Sequence, residues 1–151
     1  MSREPIYQEL QKIQQAGGGL LKAEDVVEFA KDPATALHSQ FEWEDTEAAR
    51  LYRLQQARAV IRLHVRVIAD DQAPVRAFVS LKSDRADGGG YRATVDVLAD
   101  EHMRTQLLQD ALRDLHGLRK KYEALQALRP VWEAMARVAG DAAGEPAQAA
   151  G

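Results

Sequence analysis

The side chains best suited to chemistry in this sequence are arginines. Arg50, Arg53, Arg58, Arg62 and Arg66 fall in the run TEAARLYRLQQARAVIRLHVRVI at 46–68, and no acid occurs between Glu47 and Asp70. A guanidinium offers a planar fork of donors that matches phosphate oxygens. Arg76 and Arg92 follow in segments of strand-like alternation, where Phe78 and Tyr91 supply rings able to stack on bases. Residues 50–130 carry fifteen basic and ten acidic side chains, whereas residues 1–49 carry four and ten. A basic middle between acidic flanks suits a polyanion-binding surface. Local pairing with acids such as Glu42 and Glu47 competes with it, each exposed pair being worth little. The helix arginines also spread around the axis at about 100° per residue instead of forming one stripe.

Other catalytic patterns are incomplete. His38 and Glu42 stand four apart, but their segment holds two aromatics and precedes a helix cap, a poor setting for a metal-binding helix. His102 follows Asp100 and Glu101 at a helix start, where acids are favoured by the macrodipole. The histidines are scattered, and no HExxH occurs. Ser39, Ser80 and Ser83 lack a nucleophile-elbow context. The triple glycines at 17–19 and 88–90 are not followed by Lys-Ser or Lys-Thr, so neither is a P-loop. Asp70-Asp71 suits a turn. The reading is non-enzymatic, with no cofactor and no metal. The chain has no cysteine, which excludes disulfides and thiolate sites. The N-terminus lacks an apolar signal core, and no run approaches the roughly 20 apolar residues of a membrane span. A cytoplasmic protein with no membrane partner is expected.

The elements that must position the arginines follow from periodicity. The chain has 151 residues, the usual size of one domain. Ile6, Leu10 and Ile13 repeat on one face of a first helix opened by Pro5 and stopped by the glycines, which would act as a joint. A short helix spans 22–31. The linker ALHSQFEWED at 36–45 carries Phe41 and Trp43, which should clamp it to the core. Asp45 or Thr46 then caps a helix to about Arg62, with Leu51, Leu54, Ala57 and Ile61 as its stripe. Period-two alternation predicts strands at 63–68, 75–81 and 91–98, joined as an antiparallel meander. One face of that sheet would present His64, Arg66, Arg76, Phe78, Arg92, Thr94 and Asp96. The polar loop at 83–90 could lie along a groove.

Asp100 caps a long helix to about Leu128, expected to cover the aliphatic sheet face. Its Leu108, Ala111, Leu115, Leu118, Tyr122 and Leu125 follow a heptad rhythm. Leu115, Leu118, Tyr122 and Leu125 would meet a partner helix, either a second copy or the helix from Pro130 to Gly140 folding back. The predicted fold is α+β: a helical N-terminal part, a three-stranded antiparallel meander, then a long helix and a short C-terminal helix. In domains, residues 1–19 form the helix and glycine joint, 20–140 a single α+β domain, and 141–151 a disordered tail.

The run LHSQFEWEDTEAARLYRLQQARAVIR at 37–62, followed by VRAFVSL at 75–81 and YRATVDVL at 91–98, resembles an uncharacterised family of small proteins encoded by tailed bacteriophages and prophages. The resemblance covers about residues 20–138. It implies a phage-derived protein in a bacterial cytoplasm and transfers no chemistry. Together these features predict an accessory protein that binds nucleic acid, with DNA as partner, through Arg50, Arg53, Arg58, Arg62, Arg66, Arg76, Phe78 and Arg92. The competing expectation is a protein–protein adaptor, dimeric through the heptad-bearing helix or bound to a phage or host protein.

Overall fold

The structure is a computed structural model describing residues 3–43, 46–86 and 88–148. It divides into two compact units, Met1–Arg104 and Thr105–Gly151. The fold is α+β, with a three-stranded antiparallel sheet between N-terminal helices and two C-terminal helices.

In the first unit, α1 (Glu4–Ala16) buries Ile6, Leu10 and Ile13, the face its spacing predicts. The glycines after it form a bonded turn: Gly17 N–H donates to the Ile13 carbonyl at 2.9 Å and Gly19 N–H to the Gln14 carbonyl at 2.9 Å. A Cβ on Gly17 would lie 2.3 Å from the Leu20 carbonyl oxygen, so the chain can turn this tightly only with glycine there. The buried Gln14 amide donates to the Gly19 carbonyl and to Asp96, each at 3.1 Å. Thus α1 is part of the first unit's core, not a jointed arm.

Strand β1 (Leu20–Leu21) leads to α2 (Ala23–Ala30), which buries Ala23, Val26, Val27 and Ala30. The linker beyond α2 is clamped as expected, by several bonds. Glu9 accepts the N–H groups of Ala36 and Leu37 at 2.8 and 2.9 Å. His38 donates from Nδ1 to the Ala30 carbonyl at 2.8 Å and stacks on Trp43 at 4.9 Å. Trp43 Nε1 donates to the His38 carbonyl at 3.0 Å, and Phe41 is buried beside the same ring. Thr46 caps α3 (Glu47–Leu63) by accepting the Ala49 N–H at 3.1 Å; Asp45 lies outside the described residues. The inner face of α3 is Arg53, Ala57, Val60 and Ile61. Leu51, expected inside, is about half exposed, because Arg53 occupies the inward turn under Trp43.

The sheet departs from a meander. β2 (Val65–Arg66) pairs only with β3 (Val75–Arg76), as a separate two-stranded ribbon. The three-stranded sheet is built from β1, β4 (Phe78–Val79) and β5 (Tyr91–Ala93), with β5 central. β5 stops early because Thr94 turns inward, donating its N–H to the Ala77 carbonyl and its hydroxyl to the Arg76 carbonyl at 2.8 and 2.6 Å. The next residues form α4 (Thr94–Ala99), so Thr94 and Asp96 belong to a helix and not to a sheet face. The core cluster joins α1, α2, the clamped linker and α3 to β1 and β4, and no residue of the long helix enters it.

Asp100 accepts the Met103 N–H at 2.8 Å and caps α5 (Glu101–Tyr122). α5 ends before Leu128, and a 3-10 turn (Gln126–Leu128) leads into α6 (Arg129–Gln148). α6 runs past Gly140, so 141–148 continue a helix where a disordered tail was expected; 149–151 lie outside the described residues.

Two glycine substitutions test these placements in opposite directions. Gly17→Ala should destabilise the protein by about 1–3 kcal/mol, because backbone must shift. Gly117→Ala, whose Cβ would meet nothing within 4 Å, should stabilise α5 by about 0.5–1 kcal/mol. Urea unfolding of both variants gives the comparison.

Candidate interaction surfaces

The arginines fall into two groups. Arg53 is 8% exposed, donates to the Glu42 carbonyl at 3.0 Å and lies 5.4 Å over the Trp43 ring. Its charge serves the clamp. Arg92 makes two 2.7 Å bonds to Asp84, whose side chain is buried. Hydrogen bonding to Asp84 raises the Arg92 pKa further above its ordinary value, against the opposing effect of burial. Arg50 pairs with Glu47 at 3.2 Å on the helix surface, and the same hydrogen bonding raises its pKa. Phe78 is 1% exposed, so no base can reach its ring, and Tyr91 is partly buried against the core. Arg50, Arg53, Phe78 and Arg92 are therefore engaged within the fold.

The other four remain open. Arg58 and Arg62 stand four apart on α3, the first half-buried and the second exposed. α3 runs directly into β2, where Arg66 lies with its guanidinium 4.0 Å over the Tyr7 ring. Arg76 is exposed on β3. None of these four makes an ion pair with a described residue. Cross-strand partners share a face, so Val65 stands beside Arg76 and Arg66 beside Val75. His64, expected on an open face, is buried with Nδ1 donating to the Val60 carbonyl at 2.8 Å and its ring stacked on Tyr7.

A different surface lies along α5. Leu108, Leu115, Leu118 and Tyr122 on α5 are between 37% and 47% exposed, whereas Leu125, expected on the same helix, lies in the extended connection after it. In Thr105–Gly151 the one buried side chain among the described residues is Asp110, which ion-pairs with Arg113. On α6, Val131 and Val138 are also open. α6 lines one cleft of about 420 Å³ with the end of α5, at Arg119, Glu123, Leu125, Arg129 and Trp132. Leu115 and Leu118 stay exposed, and the Trp132 Nε1 is buried with no acceptor among the described residues. The heptad spacing marked these leucines from sequence. Trp132 carried no signal beyond its place on the C-terminal helix.

Comparison with protein-family models, curated proteins and solved structures finds no match. Among the described residues no group of three or more histidine and acidic side chains is placed to hold a metal ion. Likewise, no helix among them is long and apolar enough to cross a membrane.

The division of the arginines is measurable. Arg53→Ala should cost about 1–3 kcal/mol, through a lost charged hydrogen bond and a lost cation–ring contact. Arg58→Ala and Arg62→Ala should stay within about 0.5 kcal/mol of the parent. Denaturant midpoints of the three variants report the difference.

Proposed function

We propose that the protein is a protein–protein interaction adaptor that pairs with a second copy of itself through α5. The carrying observation is the row of leucines at heptad spacing left open to water in a helical unit with almost no interior of its own. Each buried methylene contributes about 0.8 kcal/mol, so covering such a row drives association. Isolated helices of this length are marginal in water, and a paired seam stabilises them.

An antiparallel second copy fits the row better than a parallel one. Antiparallel pairing sets Ala111 against Tyr122 of the copy and Leu115 against its Leu118, the layers that fall within α5. Small then meets large, as close packing requires. Parallel pairing would set Ala111 on Ala111 and Tyr122 on Tyr122, leaving a gap in one layer and crowding in another. The flanking charges agree with self-pairing. Asp114 and Lys121 are exposed, and neither makes an ion pair with a described residue. Both flank the seam, and in the antiparallel register each faces the other residue on the copy. The phage-family resemblance adds a bacterial cytoplasm to this proposal. A nucleic-acid surface would have to work with Arg58, Arg62, Arg66 and Arg76 alone.

Sedimentation equilibrium at micromolar concentration should give twice the chain mass. Leu118→Asp should give a monomer that keeps the first unit folded. Asp114→Lys and Lys121→Asp should each weaken the dimer by about 1–2 kcal/mol, since two unlike pairs become two like ones. The double variant should recover most of the loss. A parent protein that stays monomeric at these concentrations overturns the proposal.

A further inference from the structure

We infer that the outer edge of β2 is a strand-addition site for an extended segment of another protein that alternates apolar and acidic residues. β2 has a strand partner on one side only, and no described strand covers its other edge. Ala77 N–H donates to the His64 carbonyl at 2.8 Å. By antiparallel alternation His64 and Arg66 therefore face β3, and the N–H and C=O of Val65 point away from it. Open backbone groups of this kind are a template for another strand.

The side chains state what that strand should carry. Val65 and Val67 are 51% and 57% exposed, and Leu63 just before them is more open still. A soluble protein normally shields such an edge with charged or proline residues, and here the aliphatic side chains are left open. Neighbours across a strand pair share a face. A residue added beside Val65 meets an aliphatic side chain first, with Arg76 one strand further on the same face, and one added beside Arg66 meets a guanidinium. Arg76 on β3, and Arg58 and Arg62 on the helix that runs into β2, make no ion pair with a described residue, which extends the preference for acids. Asp70 and Asp71 sit in the connection beyond β2 and are the nearest acids along the chain. The same arginines disfavour a second copy at this edge, since pairing β2 with β2 brings like charges together. The aliphatic row disfavours nucleic acid, whose backbone has nothing to place on valine. A two-stranded ribbon is marginal alone, and a third strand would consolidate it.

This site is independent of the α5 seam, so the two can fail separately. The test uses the full chain and three fluorescent probes: a short peptide alternating valine with glutamate, the same peptide with lysine for glutamate, and a short DNA duplex. The glutamate peptide should bind, and the lysine peptide should bind at least tenfold more weakly. Binding should slow hydrogen exchange at the Val65 amide. Arg66→Glu and, separately, Val67→Lys should each weaken the glutamate peptide by about tenfold. Leu118→Asp, which addresses only the seam, should leave peptide binding unchanged. Absence of glutamate-peptide binding, equal binding of both peptides, or salt-dependent binding of the duplex with no peptide binding would each overturn the inference.

Discussion

Burial of apolar side chains is uneven in this protein, and the contrast is sharpest between the core of the first unit and the exposed leucines of α5. The first unit satisfies its own hydrophobic groups: α1, α2 and α3 close over the sheet with Leu10, Leu21, Val26, Leu37, Ile61 and Phe78 fully inside. Among the described residues the second unit has no comparable interior, and Leu108, Leu115 and Leu118 are exposed. That contrast assigns different jobs to the two units. One encloses a core of its own, and the other presents the helical surface for which we propose a second copy as complement.

Charge is distributed by a similar logic. A guanidinium held by a buried carboxylate or under an indole is no longer available to a ligand. Arg92 on Asp84 and Arg53 under Trp43 belong to the scaffold. They secure β5 and the linker that brings α3 into place. Arg58, Arg62, Arg66 and Arg76, near the α3–β2 junction, have no such carboxylate or indole partner among the described residues, so of the eight expected site residues these four stay open.

Much of the scaffold was legible in the sequence because it depends on local rules. Helical spacing marked the buried face of α1, and side-chain capping marked Thr46 and Asp100. The aromatic clamp was legible from two large rings in a short linker. The sheet was harder, because alternation gives a strand but not its neighbour. Nothing local says that Leu20–Leu21 fills the place beside β5, or that β2 and β3 leave the main sheet. Thr94 read as the middle of a strand; only its bonds to the carbonyls of Arg76 and Ala77, distant in sequence, turn the chain into α4. Arg53 was misplaced for a related reason. A charged residue reads as outward until a carbonyl and an indole are folded over it. Of the expected site residues, Leu115 and Leu118 are exposed on α5, whereas burial removed Phe78 and pairing engaged Arg50 and Arg92.

The orientation of two α5 helices can be read directly by distance. The chain has no cysteine, so His116→Cys and Gln109→Cys each offer a single site for a nitroxide label. Position 116 lies near the centre of the antiparallel register and position 109 lies seven residues toward one end. Pulsed electron–electron resonance on each labelled protein then gives one inter-copy distance. In an antiparallel pair the two 109 sites lie about 21 Å further apart along the helix axis than the two 116 sites, from a rise of about 1.5 Å per residue counted on both helices, so the 109 distance is clearly the longer. Equal distances at both positions, or no dipolar signal at either, would contradict pairing through α5 in that arrangement.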